Sequence, residues 1–366
     1  MTTKSPFHQI ALLLVSGIGI KLTKVLVANV GSAEAIFDEK PSHLLKIPGI
    51  SKKLVAAIHS KKTWPRAEKE LLFIEKHGIE THFYMDDSYP NRLKFCEDAP
   101  IMLFSKGNID WNPKRSIAIV GTRKPTTYGL DFIQNFLEDL SPLEVTIVSG
   151  LAYGIDIQAH RMALANRMPT WGVIGHGLDR IYPGIHRNVA KDMMNNGGLI
   201  TEFMSGTRPD RENFPKRNRI IAGLADATLV VESWEKGGSL ITAHIANSYH
   251  RDVFAVPGSI HQTQSLGCNQ LIHRQQATLI RNAEDVVTIM NWQTPVLEKP
   301  IQQELFPSLD SGQMALLEAI PGHETISLDE LSYQLQTPVS ILSAMLLTME
   351  FMGLVKSLPG KCFRRA

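Results

Sequence analysis

Between Arg208 and Arg219, five cationic side chains (Arg208, Arg211, Lys216, Arg217 and Arg219) face only Asp210 and Glu212. The whole chain carries a formal net charge of just +2, so any attraction for a polyanion has to come from local clusters of this kind. The core of the cluster is Phe214-Pro215-Lys216-Arg217-Asn218-Arg219. Guanidinium groups offer planar donor forks to phosphate oxygens, and Lys216 supplies a point charge. Phe214 has two readings, a stacking surface for a base or an anchor in the core. The cluster also has a structural reading, a solvated helix start whose cations pair with neighbouring carboxylates.

Several glycine-marked junctions point to the same kind of ligand. Gly121-Thr122-Arg123 follow an apolar run, and Ser149-Gly150-Leu151-Ala152 and Gly175-His176-Gly177 follow two more. Gly121 permits close backbone approach, Thr122 offers a hydroxyl, and Arg123 offers a fork for phosphate. Beyond them, Pro125, Thr126 and Gly129 open a helix whose first amides would face the same anion. The spacing is not G-x-G-x-x-G and there is no Walker lysine, so neither a dinucleotide nor a nucleoside triphosphate is expected. No cofactor and no metal is implied.

Something has to bring these junctions to one place. Short apolar runs at Ile117–Val120, Thr146–Ser149, Trp171–Ile174, Leu199–Glu202, Thr228–Glu232, Val253–Val256 and Thr278–Ile280 alternate with helical stretches. The intervals leave room for crossover helices, which predicts an α/β fold with a Rossmann-like, doubly wound, mostly parallel sheet of about seven strands. In such sheets ligands sit beyond the carboxyl ends of the strands, where the glycine junctions, Glu202 and Glu232 all fall. Asp156 and His160 lie four apart at a helix start and could form an acid-base pair; the simpler reading is a helix cap and a packed histidine.

Around this centre the chain reads as further domains. The repeated patterns Leu14-Val15-Ser16-Gly17-Ile18-Gly19 and Leu45-Lys46-Ile47-Pro48-Gly49-Ile50, each followed by a helical segment, predict a double helix-hairpin-helix module within residues 1–80. Lys46, Lys52 and Lys53 flank its second hairpin, where exposed turn amides can meet a phosphate. Residues 84–114 read as a connector with short strands, included in a central domain over 81–292. A linker follows over 293–309, and residues 310–366 read as a winged helix. Its third helix, Val339–Met352, has Glu350 as its only charged residue, which argues against reading a DNA groove. Lys356, Lys361, Arg364 and Arg365 remain available to phosphates or to a partner protein.

Composition narrows the setting. Hydrophobic residues at 43% and charged residues at 20% are ordinary for a globular protein, and 366 residues suit two or three domains. Cys96, Cys268 and Cys362 are too few and too far apart for a disulfide framework or a zinc site, which fits a reducing cytoplasm. Gly17, Gly19, Lys21 and Lys24 break up the apolar N-terminal region, so no signal peptide is expected. No run reaches the ~18 apolar residues of a membrane span.

Taken together, the motifs resemble the DNA-processing protein A family, also called Smf. The resemblance rests on Gly121-Thr122-Arg123 with Tyr128-Gly129, Ser149 to Ala152 with Gly154-Ile155-Asp156 and Ala159-His160, Gly177-Leu178-Asp179 with Tyr182-Pro183, Phe214 to Leu224, Gly238-Ser239 with Thr242-Ala243, and Val256-Pro257-Gly258. It implies a non-enzymatic protein that binds single-stranded DNA, protects incoming strands during natural transformation and loads the RecA recombinase. It also implies a homodimer formed through the Rossmann-like domain. Carried over by position, Arg123, Lys216, Arg217, Asn218 and Arg219 become phosphate-contacting candidates, with Gly121, Thr122 and Gly150 shaping the pocket. Two other readings stand beside it. One is a Rossmann-like nucleotide phosphoribohydrolase, suggested by Gly237-Gly238-Ser239-Leu240-Ile241-Thr242, although Ala243-His244 stand where that chemistry needs a glutamate. The other is a protein-interaction adaptor with incidental DNA affinity.

Overall fold

The computed structural model describes residues 5–292, 309–321, 325–358 and 360–365. The chain divides into two compact units, Met1–Gln293 and Thr294–Ala366. The linker read over 293–309 lies almost wholly outside the described residues.

The first unit begins with six helices: α1 Phe7–Leu13, α2 Ile20–Val30, α3 Ala33–Asp38, α4 Pro41–Leu44, α5 Lys52–His59 and α6 Trp64–His77. Gly17 (φ 90°) turns the chain between α1 and α2, and Gly49 (φ 84°) does so between α4 and α5. A left-handed backbone at these two points is what the repeated glycines supply. The helix-hairpin-helix pair expected from the repeat is present, and Lys46, Lys52 and Lys53 are exposed beside its second turn.

A nine-stranded sheet follows, from β1 Glu80–Phe83, β2 Met102–Asn108, β3 Arg115–Gly121, β4 Val145–Ser149 and β5 Thr170–Val173 to β6 Gly197–Thr201, β7 Ala227–Val231, β8 Asp252–Ala255 and β9 Thr278–Leu279. Its order is β1-β2-β6-β5-β4-β3-β7-β8-β9. The seven strands from β6 to β9 are parallel, as the alternating pattern implies, while β1 and β2 add an antiparallel edge. The stretch read as a connector therefore enlarges the sheet. Phe83, Ile101, Met102 and Phe104 from this edge share one hydrophobic cluster with the N-terminal helices. Glu80 opens β1, so the boundary read between residues 80 and 81 falls inside that strand.

The remaining helices of this unit are α7 Asn91–Lys94, α8 Thr127–Leu140, α9 Ile155–Ala165, α10 Arg187–Met193, α11 Asn213–Leu224, α12 Gly238–Ser248, α13 Leu266–His273 and α14 Ala283–Ile289. Strand alternation distributes them over both faces. Ile117 and Ile119 of β3 pack with Ile133, Phe136 and Leu137 of α8 and Ala159 of α9. Ala118 and Val120 face the other way, onto Ile220, Ile221 and Leu224 of α11 and Ala243 of α12. The chain runs outward from β3 through β4 and β5 to β6, then returns to place β7 on the other side of β3. The connections after β3 and β7 thus leave in opposite directions, which opens a crevice at their carboxyl ends.

The second unit holds α15 Ser311–Ala319, α16 Leu328–Leu335 and α17 Val339–Phe351 with a small sheet ordered β10-β12-β11, where β10 is Ile326–Ser327, β11 Val355–Leu358 and β12 Cys362–Arg365. This is the expected three-helix, hairpin pattern. Asp310 and Ser327 form reciprocal capping boxes with Gln313 and Glu330 at the starts of α15 and α16. Lys356, Lys361, Arg364 and Arg365 are all exposed, but Arg365 is tied to its own unit, its Nε donating to the carbonyls of Leu317 and Ile320. Val339, Ile341, Leu347 and Phe351 of α17 are exposed and apolar, in keeping with the reading against groove recognition.

Candidate nucleic-acid interface

A cleft of about 720 Å³ lies over the carboxyl ends of β3 and β7. Gly121 to Lys124 form its floor, Arg211, Phe214, Arg217 and Asn218 one wall, and Ser233, Trp234 and Gly237 to Ser239 the other. The sequence brought Gly121, Thr122, Arg123, Phe214, Arg217 and Asn218 together as site residues, and the fold does the same.

Their roles differ. Gly121 is required by packing: a Cβ there would stand 2.1 Å from the Val231 carbonyl oxygen and 2.6 Å from Ile155. Thr122 is fixed through its backbone, its N–H donating to Glu232 O (2.8 Å) and its carbonyl accepting from Ile155 N (3.1 Å). Its hydroxyl oxygen accepts from Lys124 N at 3.2 Å. Arg123 is exposed, with its guanidinium carbon 5.7 Å from the centre of the Phe214 ring. Phe214 also stacks on Tyr182, centroids 6.2 Å apart. It therefore presents an aromatic wall to the cleft rather than a core plug.

The basic cluster separates into three fates along α11. Arg217, Ile220, Ile221 and Leu224 follow the i, i+3, i+4, i+7 spacing of a buried stripe. Arg217 is 5% exposed, and its Nη1 donates to Gly150 O (2.6 Å) and to Val173 O. Asp156 is the buried carboxyl group beside it: a Cβ on Gly150 would fall 2.5 Å from Arg217 Nη1 and 2.6 Å from Asp156 Oδ2. Burial lowers the Arg217 pKa to about 10 against the opposing pull of Asp156. Burial raises that of Asp156 against the pull of Arg217. Arg219 turns away from the cleft, donating to Glu202 and, at 2.6 Å, to Asp98 O. Lys216 is exposed and lies outside the cleft lining. Geometry thus makes Arg217 the clamp of the strand ends, and Arg219 a link to the Asp98 loop.

One further sequence reading changes, and an open one is decided. The start of α8 is occupied from within: Glu232 accepts from Thr126 N (2.8 Å) and from the Thr126 hydroxyl. That helix end is consequently not an open phosphate seat. Replacing Glu232 with Ala should lower unfolding free energy by about 1–2 kcal/mol, the usual worth of a helix cap, measured by denaturant titration. His160 is buried; its Nδ1 bonds to Thr170 Oγ1 at 2.7 Å, and burial lowers its pKa to about 3. It is a neutral packed histidine, as its simpler reading has it, whereas Asp156, read there as a helix cap, makes no side-chain cap hydrogen bond at the start of α9.

The family model described as DNA recombination-mediator protein A matches residues 80–291. The chain belongs to the DprA/Smf family. Models described as a SAM-like helix-hairpin-helix tandem and a DprA winged helix domain match residues 10–61 and 302–361 of this DprA/Smf chain. It is 30% identical over the full length of both chains to Protein Smf of Synechocystis. It is 35% identical to Protein Smf of Escherichia coli over 80% of this chain and 79% of that one. Among solved structures, it is similar to DNA processing protein A of Streptococcus pneumoniae with a TM-score of 0.64 and 34% identity, over 79% of this chain and 98% of that chain. It is also similar to DNA processing protein A of Helicobacter pylori with a TM-score of 0.53 and 27% identity, over 58% of this chain and 95% of that chain. The H. pylori protein is described as having a unique single-stranded DNA binding mode.

Sequence reading of this DprA/Smf chain passed over Lys124 and Trp234, both of which line the cleft. Lys124 adjoins Arg123 on the turn after β3, so adjacency alone would have found it. Trp234 follows the last residues of β7, another strand end of the same sheet edge.

Proposed function

We propose that this chain binds single-stranded DNA in the cleft over β3 and β7 and passes it to the RecA recombinase during natural transformation. In this reading it protects the incoming strand and does no chemistry on it. The observation that carries the reading is unneutralised charge beside an aromatic wall. Arg123, Lys124 and Arg211 line one cleft, and none takes part in an ion pair among the described residues. The single lining carboxylate, Asp156, already faces Arg217. Cations without protein partners suit a phosphate backbone, and Phe214 suits an unpaired base.

The relatives support the rest. The matching family description names a recombination mediator, and the H. pylori neighbour is described by its single-stranded DNA binding mode. Cytoplasmic location fits this role, and no described helix is long and apolar enough to cross a membrane. For the homodimer, β9 is an edge strand, with Leu279 and the nearby Ile289 exposed. Against a phosphoribohydrolase, helix α12 offers, after Thr242, a buried Ala243 and an exposed His244 in place of a carboxylate.

Fluorescence anisotropy across a salt series, on single-stranded and duplex oligonucleotides, tests this reading. The expected result is tighter binding to single strands. Arg123→Ala should weaken it roughly 10- to 150-fold, the worth of a charge-assisted hydrogen bond, and flatten the salt slope by about 0.7. Lys216→Ala, outside the cleft lining, should have a smaller effect. Undiminished binding by Arg123→Ala would move the DNA site to the helical hairpins or the winged helix. Release of free base from a nucleoside monophosphate would favour the enzyme.

A further inference from the structure

We infer that Trp234 is a second base-stacking platform, placed at the opposite end of the cleft from Phe214, so that the preferred ligand is an oligonucleotide spanning both. This deepens the single-stranded DNA reading and rests on it.

The first observation is placement. Phe214 packs against Gly175, just beyond β5, whereas Trp234 follows β7. β4 and β3 lie between them in the sheet. Three strand spacings amount to about 14 Å, more than one base can bridge. Arg123 follows β3, whose end lies between those of β5 and β7, and its exposed guanidinium is available to the connecting phosphates.

The second observation is how Trp234 is held. Trp234 is 51% exposed, but its backbone is clamped. Its carbonyl accepts from Gly237 N at 2.9 Å and from the Ser233 hydroxyl at 3.1 Å. The Ser239 hydroxyl donates to Ser233 Oγ at 2.8 Å, and Gly267 N donates to Ser233 O at 2.8 Å. Gly267 packs so closely that a Cβ there would lie 2.6 Å from the Trp234 carbonyl oxygen. A rigid backbone carrying a large, half-exposed indole in a cationic cleft loses little freedom when a base stacks on it.

The chain's own fluorescence provides the test. Of its five tryptophans, Trp111, Trp171 and Trp292 are at most 8% exposed, and Trp64 packs edge-on against Phe7. Emission should therefore fall when oligothymidylate is added to the parent, and this change should vanish in Trp234→Phe, which retains a stacking ring and near-parental affinity. Trp234→Ala should bind oligothymidylate roughly 5- to 150-fold more weakly, the range for loss of one stacked base. The same variant should bind thymidine 5′-phosphate as the parent does. If Trp234→Ala binds the oligomer like the parent while Arg123→Ala does not, the platform is refuted and the cleft reading stands. If the parent itself fails to bind oligothymidylate, both are refuted.

Discussion

Replacing Arg217 with Ala is expected to cost about 3–5 kcal/mol of stability, more than any other substitution in the basic cluster, because it leaves a buried charge without its counterpart. The guanidinium that remains in the parent satisfies the carbonyls of Gly150 and Val173 and faces Asp156. Its loss strands two carbonyls and one carboxylate at the carboxyl ends of β4 and β5. Urea unfolding measures the loss. Its pH dependence identifies the cause, since burial already raises the pKa of Asp156 and Arg217 restrains that rise. Without Arg217 the folded pKa climbs further above the unfolded one. A carboxyl group raised in this way destabilises the fold at pH values above its folded pKa. The penalty shrinks as pH falls through that value and is gone below the unfolded value of about 3.9. The deficit of Arg217→Ala should accordingly narrow as pH falls through the raised folded pKa of Asp156. Adding Asp156→Asn should recover part of it, and additive losses in the double variant would refute the coupling.

This result would separate stability from ligand binding in a cluster whose composition suggests five equivalent cations. The sequence does hold the information that tells them apart. Arg217 shares the helical stripe of Ile220, Ile221 and Leu224, whereas Lys216 and Arg219 fall off it. What periodicity cannot supply is the partner across the fold, because Gly150, Asp156, Glu202 and Asp98 lie 15 or more residues away in sequence. Glu232 illustrates the same limit. Its position at a strand end was legible, but its engagement with Thr126, 106 residues earlier, depends on β3 and β7 becoming neighbours.

The inner parallel strands β4 to β7 were legible because each is buried on both faces and reads as a continuous apolar run. The antiparallel strands β1 and β2 were less so. They pack against the helical module, and β2 ends in Lys106-Gly107-Asn108, which reads as a turn. The helix-hairpin-helix repeat was legible through Gly17 and Gly49, where a positive φ demands the residue type. Trp234 escaped notice because an aromatic residue after a strand is ordinarily core. Only its exposure, together with the cations around it, marks it as a surface for ligand.

Gly154→Ala should impair both stability and binding, although Gly154 carries no functional group. Its φ of 79° is a conformation that side chains rarely adopt. A Cβ would stand 2.2 Å from the Thr122 carbonyl oxygen and 2.7 Å from the Arg123 backbone. Backbone strain and overpacking each cost about 1–3 kcal/mol, so a total loss of about 2–6 kcal/mol is expected in urea unfolding. The chain can relieve the clash only by moving the start of α9 away from the turn after β3 or by moving that turn. Ile155 N donates to Thr122 O, so either movement loosens the segment that presents Arg123. Affinity for single-stranded DNA should fall in the fraction that remains folded. Gly184→Ala provides the contrast, since a Cβ there meets nothing within 4 Å and φ is not positive. It should leave DNA affinity unchanged and stability equal or slightly raised. If Gly154→Ala unfolds like the parent and binds like it, the turn after β3 does not depend on the close approach of α9.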